Sequence, residues 1–172
     1  MKKFFLILLL FFFHNNVYSK EIVYLDVQYI IDQSDLGKFY KSKINEINNN
    51  NITNLKIKEE EINFKENEIK NQKNILSKEE IQKKIDDLNN LLKNYKTERG
   101  KLNKQIIDEK KIYTSKILKI LNPLLTNYVD KNKITLVVEK KNILVGIKSL
   151  DITSDILKIL NEETKKNNLI ND

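Results

Sequence analysis

The strongest constraint on this chain is a long stretch, from Lys38 to Asn122, that contains no proline and only one glycine. In its first half apolar residues recur every seven positions, at Leu55, Ile62, Ile69 and Leu76. In its second half they alternate at spacings of three and four, interrupted only by Arg99, at Ile81, Ile85, Leu88, Leu92, Tyr95, Leu102 and Ile106. Both patterns place one apolar stripe along a helix, so the stretch is predicted to be helical.

A helix start signal lies in the middle of this stretch. Ser77 is followed three residues later by Glu80, which is the capping-box pattern, and an apolar-periodic run comes next. A second helix start requires that the first helix has ended. The sequence therefore favours an antiparallel helical hairpin with its tip near residues 76–80. The alternative is one continuous helix in a parallel coiled coil.

The apolar stripes of the two predicted helices are thin. In the first helix the partner heptad positions carry Lys, Glu and Gln side chains, which predicts a flexible arm with a loosely held tip. Four apolar residues lie off the stripes or beside them and are candidates for contact with a partner: Ile57, Phe64, Leu91 and Ile107. The alternative interpretation is that these residues are scattered without a role.

The two ends of the chain carry β-type patterns. The run from Ile22 to Val27 is suited to a strand, and Asp35-Leu36-Gly37 ends that segment. Asn122-Pro123 is expected to close or kink the second helix. Two alternating runs follow, from Ile134 to Val138 and from Ile143 to Ile147, and they predict two strands joined by a turn.

Three short strands and one small helix would form a poor hydrophobic core, so the chain ends are predicted to associate with other copies. The candidates for this interface are the strand residues Val23, Leu25, Leu136, Val137, Val138, Leu144 and Val145. The predicted fold class is α+β and mostly helical, with a long arm on a small β-rich body. Residues 20–37 and 123–163 are assigned to the body, 38–122 to the arm and 164–172 to a polar tail.

Residues 1–19 have the pattern of a secretory signal peptide. Two lysines precede an apolar run from Phe4 to Phe13, and cleavage is predicted after Ser19. The alternative is an uncleaved anchor. His14 is the only histidine and there is no cysteine, so the mature chain lacks the usual general base and the common transition-metal ligands. The protein is therefore predicted not to be an enzyme, and no cofactor or metal is expected.

The basic charge of the chain is weak evidence for an anionic partner. The formal net charge is +7, but lysine, asparagine and isoleucine are all abundant while arginine occurs once, a pattern typical of an AT-rich genome. No aromatic residues are interleaved with the lysines, and nucleic acid is not expected as a partner. Anionic-surface binding stays as a minor alternative.

The order of these segments resembles the Skp/OmpH family of periplasmic chaperones over essentially the whole mature chain. The resemblance rests on the strand Ile22–Gln28, the Lys/Glu-rich helical hairpin, the strand Thr135–Glu139 and the Asp151-Ile152-Thr153 sequence that opens the last helix. It implies a homotrimer with a small β body, whose three arms hold unfolded outer-membrane β-barrel proteins in the periplasm without ATP.

One feature departs from the family pattern, in which the arm tips are typically basic and connected with lipid binding. Here residues 56–86 hold eight lysines and eight acidic residues, so at most weak contact with anionic lipid is expected. The rival to the chaperone hypothesis is a secreted or membrane-anchored structural coiled-coil protein that holds no client.

Overall fold

The computed structural model describes residues 21–170, so the predicted signal peptide lies outside the described residues. The elements in chain order are β1 (Glu21–Leu25), α1 (Val27–Gln33), α2 (Asp35–Gln72), α3 (Lys78–Lys131), β2 (Ile134–Glu139) and α4 (Thr153–Lys166), with short 3-10 turns at Lys140–Asn142 and Lys148–Leu150. The predicted fold class, a mostly helical α+β arrangement of arm and small β body, is confirmed.

The arm is an antiparallel hairpin of α2 and α3, as the capping box indicated. The Glu80 backbone N–H donates to Ser77 Oγ at 3.2 Å, and the Ser77 backbone N–H donates to the Glu80 carboxylate at 2.9 Å. These reciprocal bonds satisfy two backbone donors at the start of α3. The alternative of one continuous helix is excluded, because α2 ends at Gln72 and residues 73–77 turn the chain.

Of the two outcomes expected at Asn122-Pro123, closing or kinking the second helix, closure is wrong, because α3 continues through Pro123 to Lys131. An interior proline removes one helical hydrogen bond and costs about 3 kcal/mol or more. The turns on either side of Pro123 are fixed by tertiary contacts: Ile117 and Leu121 are buried in the core, and Tyr128 packs against it. Packing of the helix on the core therefore outweighs the local preference of proline.

The first strand is shorter than predicted. β1 ends at Leu25, because the Asp26 carboxylate accepts from the Tyr29 backbone N–H at 2.9 Å and begins α1. Val27, which was predicted to extend the strand, is the first residue of that helix.

A tight elbow joins α1 to α2. Ser34 is fully buried, and its Oγ accepts from the Gly37 backbone N–H at 3.0 Å, which caps α2. A Cβ atom at Gly37 would lie 1.7 Å from the Ile31 carbonyl oxygen, so only glycine allows α1 to pack this closely on α2. The Asp35 backbone N–H donates to Asn161 Oδ1 at 2.8 Å and ties the elbow to α4.

The sheet has two parallel strands, with Val23 paired to Val137 and Tyr24 to Val138. The predicted third strand, Ile143–Ile147, is wrong, because no element of residues 21–170 pairs with it. The chain leaves β2 through a 3-10 turn rather than a tight hairpin turn. The other edge of β1 is used by the segment before α4, since the Ile152 N–H donates to the Tyr24 carbonyl at 3.0 Å.

The core of the body is built from both chain ends and the lower part of α3. Its buried side chains are Val23, Leu25, Ile30, Leu36, Ile117, Leu121, Ile134, Ile152, Ile156 and Leu160. As the sequence indicated, Asp151-Ile152-Thr153 opens the last helix, and the Thr153 N–H donates to the Asp151 carboxylate at 3.0 Å. Thr153 Oγ1 also accepts from the Asp26 N–H at 2.9 Å, which links the two ends of the chain. Between Glu21 and Ile170 no helix is apolar enough over a sufficient length to cross a membrane.

Candidate functional site

The predicted apolar stripes of α2 and α3 face each other, but only Ile62 is fully buried between them. Polar links supply much of the remaining contact. Glu68 accepts from Lys84 at 2.8 Å, Lys58 pairs with Glu98, and the Tyr95 hydroxyl donates to Glu59. The Lys84 ammonium lowers the pKa of Glu68, and the bond to Glu59 raises the pKa of Tyr95. Because these pairs are solvated, they stabilise the arm only weakly.

The outer face of the arm carries apolar side chains that have no core to enter. Phe64 is 69% exposed and Ile57 is 61% exposed, and their spacing of seven residues places both on the side of α2 away from the seam. Ile107 is about half exposed, while Leu91 is half-buried beside the seam. Ile112, which widens the stripe of the second helix in the sequence, is also about half exposed, and sequence reasoning missed two further exposed residues, Ile52 and Ile75, because their spacing fits neither stripe.

The candidates for self-association divide into three groups by the exposure of their side chains. Val23 and Leu25 lie in the core of the single chain and offer almost no side-chain surface to a second copy. Val137 and Val138 are half-buried. By contrast, Leu136 is half exposed, Leu144 is fully exposed and Val145 is 93% exposed. The latter two lie in the segment Ile143–Ile147, which bends at these two residues and has no strand partner in the described chain.

A cluster of polar contacts holds the segment Ile143–Ile147 in place. Lys140 pairs with the Asp151 carboxylate at 2.8 Å. Burial alone would raise the pKa of Asp151, but the hydrogen bonds from Lys140 and Thr153 outweigh it and hold that pKa below its ordinary value. The Tyr24 hydroxyl donates to the Ile147 carbonyl at 3.2 Å and holds the segment against β1.

A groove lies at the base of the arm, where α1, α2 and α3 meet, and its volume is about 480 Å³. We call it the shoulder groove. Its floor consists of isoleucines from all three helices: Ile31, Ile44, Ile106 and Ile117. Tyr40 and Tyr113 form one wall, with ring centroids 4.3 Å apart and planes within 7° of parallel. Burial raises the pKa of Tyr113.

Sequence reasoning did not find this groove, because its residues come from three helices and follow no single periodic pattern. The signal that could have indicated it is Gly37, which permits the close approach of α1 to α2. Among residues 21–170 no group of three His, Cys, Asp or Glu side chains is placed to hold a metal ion.

An antiparallel helical hairpin with apolar side chains on its surface, built on a small two-stranded body, defines an arm-and-body fold. The sequence profile of the OmpH-like outer membrane protein family matches residues 21–160, and the chain belongs to that family. The family resemblance seen in the sequence is thereby confirmed.

A solved structure with the same fold is that of a Caulobacter crescentus protein assigned as an OmpH-like outer membrane chaperone. The TM-score is 0.75 at 12% sequence identity, and the similarity covers 84% of this chain and 86% of that chain. At this level of sequence identity, the structural similarity shows a shared fold. No curated protein matches the sequence.

Proposed function

We propose that this protein is an ATP-independent periplasmic chaperone that holds unfolded outer-membrane β-barrel proteins and prevents their aggregation. The observation that carries this proposal is the outer face of the arm, where Ile57, Phe64 and Ile107 are more than half exposed. Large apolar side chains on a slender arm are costly in water unless a partner covers them. Membership of the OmpH-like family supports the same function and favours a binding protein over an enzyme.

Binding by the arm is weak at each contact and distributed over many contacts. One buried apolar side chain contributes about 1.5 to 3 kcal/mol at most. Residues 93–119 hold nine basic residues against three acidic residues, so the lower half of α3 adds a long-range attraction for acidic segments of a client. Charge on the arm therefore accelerates capture, and apolar contact holds the complex.

The test is light scattering of an outer-membrane β-barrel protein diluted from denaturant, with and without the chaperone. The triple variant Ile57→Ser, Phe64→Ser and Ile107→Ser should weaken client binding by about tenfold or more, while each single variant is nearly silent. The matched control replaces three exposed polar residues, Asn54, Asn71 and Asn103, with serine. Unchanged scattering with excess wild-type protein would contradict the proposal and favour a structural coiled coil.

The salt dependence of binding separates the contribution of charge from that of apolar contact. Between about 50 and 500 mM salt the screening length falls severalfold, so association of a labelled client should slow while release changes little. A salt effect on release alone would show that lysines, rather than apolar side chains, hold the client.

We further propose that the body assembles three copies of the chain through the segment Ile143–Ile147 and the exposed face of β2. Leu144 and Val145 are more than nine-tenths exposed in one chain, beside a strand pair too small to be stable alone. A trimer would cover this surface and place three arms around a common space.

The double variant Leu144→Lys and Val145→Lys tests the assembly. Both side chains are exposed in the single chain, so the substitutions should leave its fold unchanged and affect association alone. Sedimentation should shift from trimer to monomer, with the circular dichroism of a helical protein retained. A stable trimer of this variant would place the interface elsewhere.

A further inference from the structure

The structure contains a discrete groove as well as the distributed apolar surface of the arm. We propose that the shoulder groove binds one short extended segment of unfolded polypeptide that carries an aromatic side chain flanked by carboxylates. This inference rests on the proposed chaperone function and names a specific site and a sequence preference within it.

The size and lining of the groove suit a peptide side chain. A volume of about 480 Å³ is in the range of ligand-binding clefts and accommodates an aromatic ring with its neighbouring backbone. The isoleucine floor is half-buried or buried, so an entering ring is removed from water on contact. The stacked rings of Tyr40 and Tyr113 give an aromatic wall against which another ring can pack.

The rim of the groove suits a peptide backbone. Asn45 and Asn48 lie on its edge, and within residues 21–170 neither side-chain amide has a hydrogen-bond partner. Each amide offers both a donor and an acceptor, which is the complement of a backbone C=O and N–H in an extended segment. These two exposed amides are one helical turn apart, so they can pair with successive groups of the same segment.

The charge of the rim selects an acidic segment. Lys41 on α2 and Lys110 on α3 lie on opposite sides of the groove. These two lysines outnumber the one carboxylate of the lining, Asp32, which accepts from the Gln28 side chain at 3.0 Å and keeps its charge. A third ammonium group, that of Lys116, lies over the rings of Tyr40 and Tyr113 at 5.7 and 5.5 Å. Carboxylates beside the aromatic residue would therefore meet lysines on both edges.

The shoulder groove is also more preorganised for binding than the surface of the arm. The Ser34–Gly37 elbow fixes α1 against α2, and Ile117 in the floor is part of the body core. A preformed site loses less conformational entropy on binding than a flexible surface, so it can hold one segment while the arm makes transient contacts with the rest of the client.

The probe is a fluorescently labelled peptide of about ten residues with two phenylalanines flanked by glutamates, compared with the same peptide carrying lysines in place of the glutamates. Fluorescence anisotropy with the full chain should show tighter binding of the acidic peptide. Asn45→Trp fills the groove and should weaken this binding about tenfold or more. Asn49→Trp, an exposed asparagine of the same helix outside the groove, should leave it unchanged.

Charge reversal gives an independent measurement. Lys41→Glu should weaken binding of the acidic peptide and strengthen binding of the lysine-containing peptide. Lys56→Glu makes the same charge change on an exposed residue of α2 and should alter neither affinity by a comparable factor. A photoreactive phenylalanine analogue in the acidic peptide should crosslink to residues of the groove lining, identified by mass spectrometry.

The outcomes that overturn the proposal are distinct from failure of the chaperone function. Equal peptide affinity of Asn45→Trp and Asn49→Trp, or crosslinks spread along the arm, would exclude the groove while the light-scattering test still stands. A change in oligomeric state caused by Asn45→Trp alone would show that a second copy of the chain, rather than a client peptide, occupies the groove.

Discussion

The two ends of α3 differ sharply although they belong to one uninterrupted helix. Near the body, Ile117 and Leu121 are almost completely buried among apolar side chains from both chain ends. Toward the tip, the same helix meets α2 through half-buried residues and through solvated pairs such as Lys84–Glu68. The comparison shows that one helix can anchor a stable core and still present a weakly held surface, because burial rather than helix propensity determines local stability.

The largest expected difference in stability between the two regions comes from truncating one leucine in the body and one in the arm. Leu160→Ala removes a fully buried side chain of the body and should lower the free energy of unfolding by about 2 to 5 kcal/mol. Leu92→Ala, at a half-buried position of the arm seam, should cost about 1 kcal/mol or less. Urea denaturation followed by circular dichroism gives both values. Equal losses would mean that the arm has a core comparable with that of the body.

A smaller difference in stability is expected on replacing a carboxylate of lowered pKa in each region, Asp151 in the body and Glu68 in the arm. Asp151→Asn should lower stability near pH 7 by about 1 to 2 kcal/mol, since the carboxylate accepts from Thr153 and Lys140. A lowered pKa in the folded state gives stability that is present above the pKa of the unfolded chain, about 3.9, and is lost as pH falls through the folded value. The difference between wild type and variant should therefore disappear well below pH 4.

Glu68 in the arm is the matched case for Asp151. Its pKa is also lowered, by Lys84, but the pair is solvated. Glu68→Gln should therefore leave the unfolding midpoint unchanged at pH 7. A pH-dependent loss of similar size for both variants would contradict the distinction between a partly buried and an exposed carboxylate.

A small effect of the opposite sign should come from Asn51, which occupies the same heptad position in the seam as Lys58. Its side-chain Nδ2 is buried without a hydrogen-bond partner. Asn51→Leu removes this unpaired donor and extends the apolar seam, so it should stabilise the arm by up to about 1 kcal/mol. Hydrogen exchange of arm amides should slow, with body amides unchanged. Faster exchange in the arm would show that Asn51 is satisfied in solution.

The arm could be predicted from the sequence because its signals are local. The heptad at Leu55 to Leu76 and the Ser77–Glu80 capping box depend only on neighbouring residues, and both were found where the structure has them. The family assignment also followed from the sequence, since the order of the terminal segments is specific.

The errors lie in the body, where distant contacts override local preference. Pro123 was expected to close or kink a helix that core packing continues to Lys131. The alternating pattern of Ile143–Ile147 predicted a strand, but the backbone bends at Leu144 and Val145. β1 pairs instead with β2 and with the segment at Asp151, and periodicity cannot identify such partners. The shoulder groove was missed for a related reason, because three separate helices contribute its lining.

The pairing of β1 with β2 has a consequence for how the protein folds. Glu21 pairs with Ile134, so the sheet joins a strand that precedes the arm in the sequence to a strand that follows it. Such non-local contacts slow folding, since the loop between them must close first. During synthesis β1 emerges early and remains an unpaired apolar strand until β2 follows, while the helices of the arm can form from local contacts. Formation of the helical hairpin therefore assists folding of the body. Once the hairpin has formed, β1 and β2 lie close together, and their pairing no longer requires closure of a long loop.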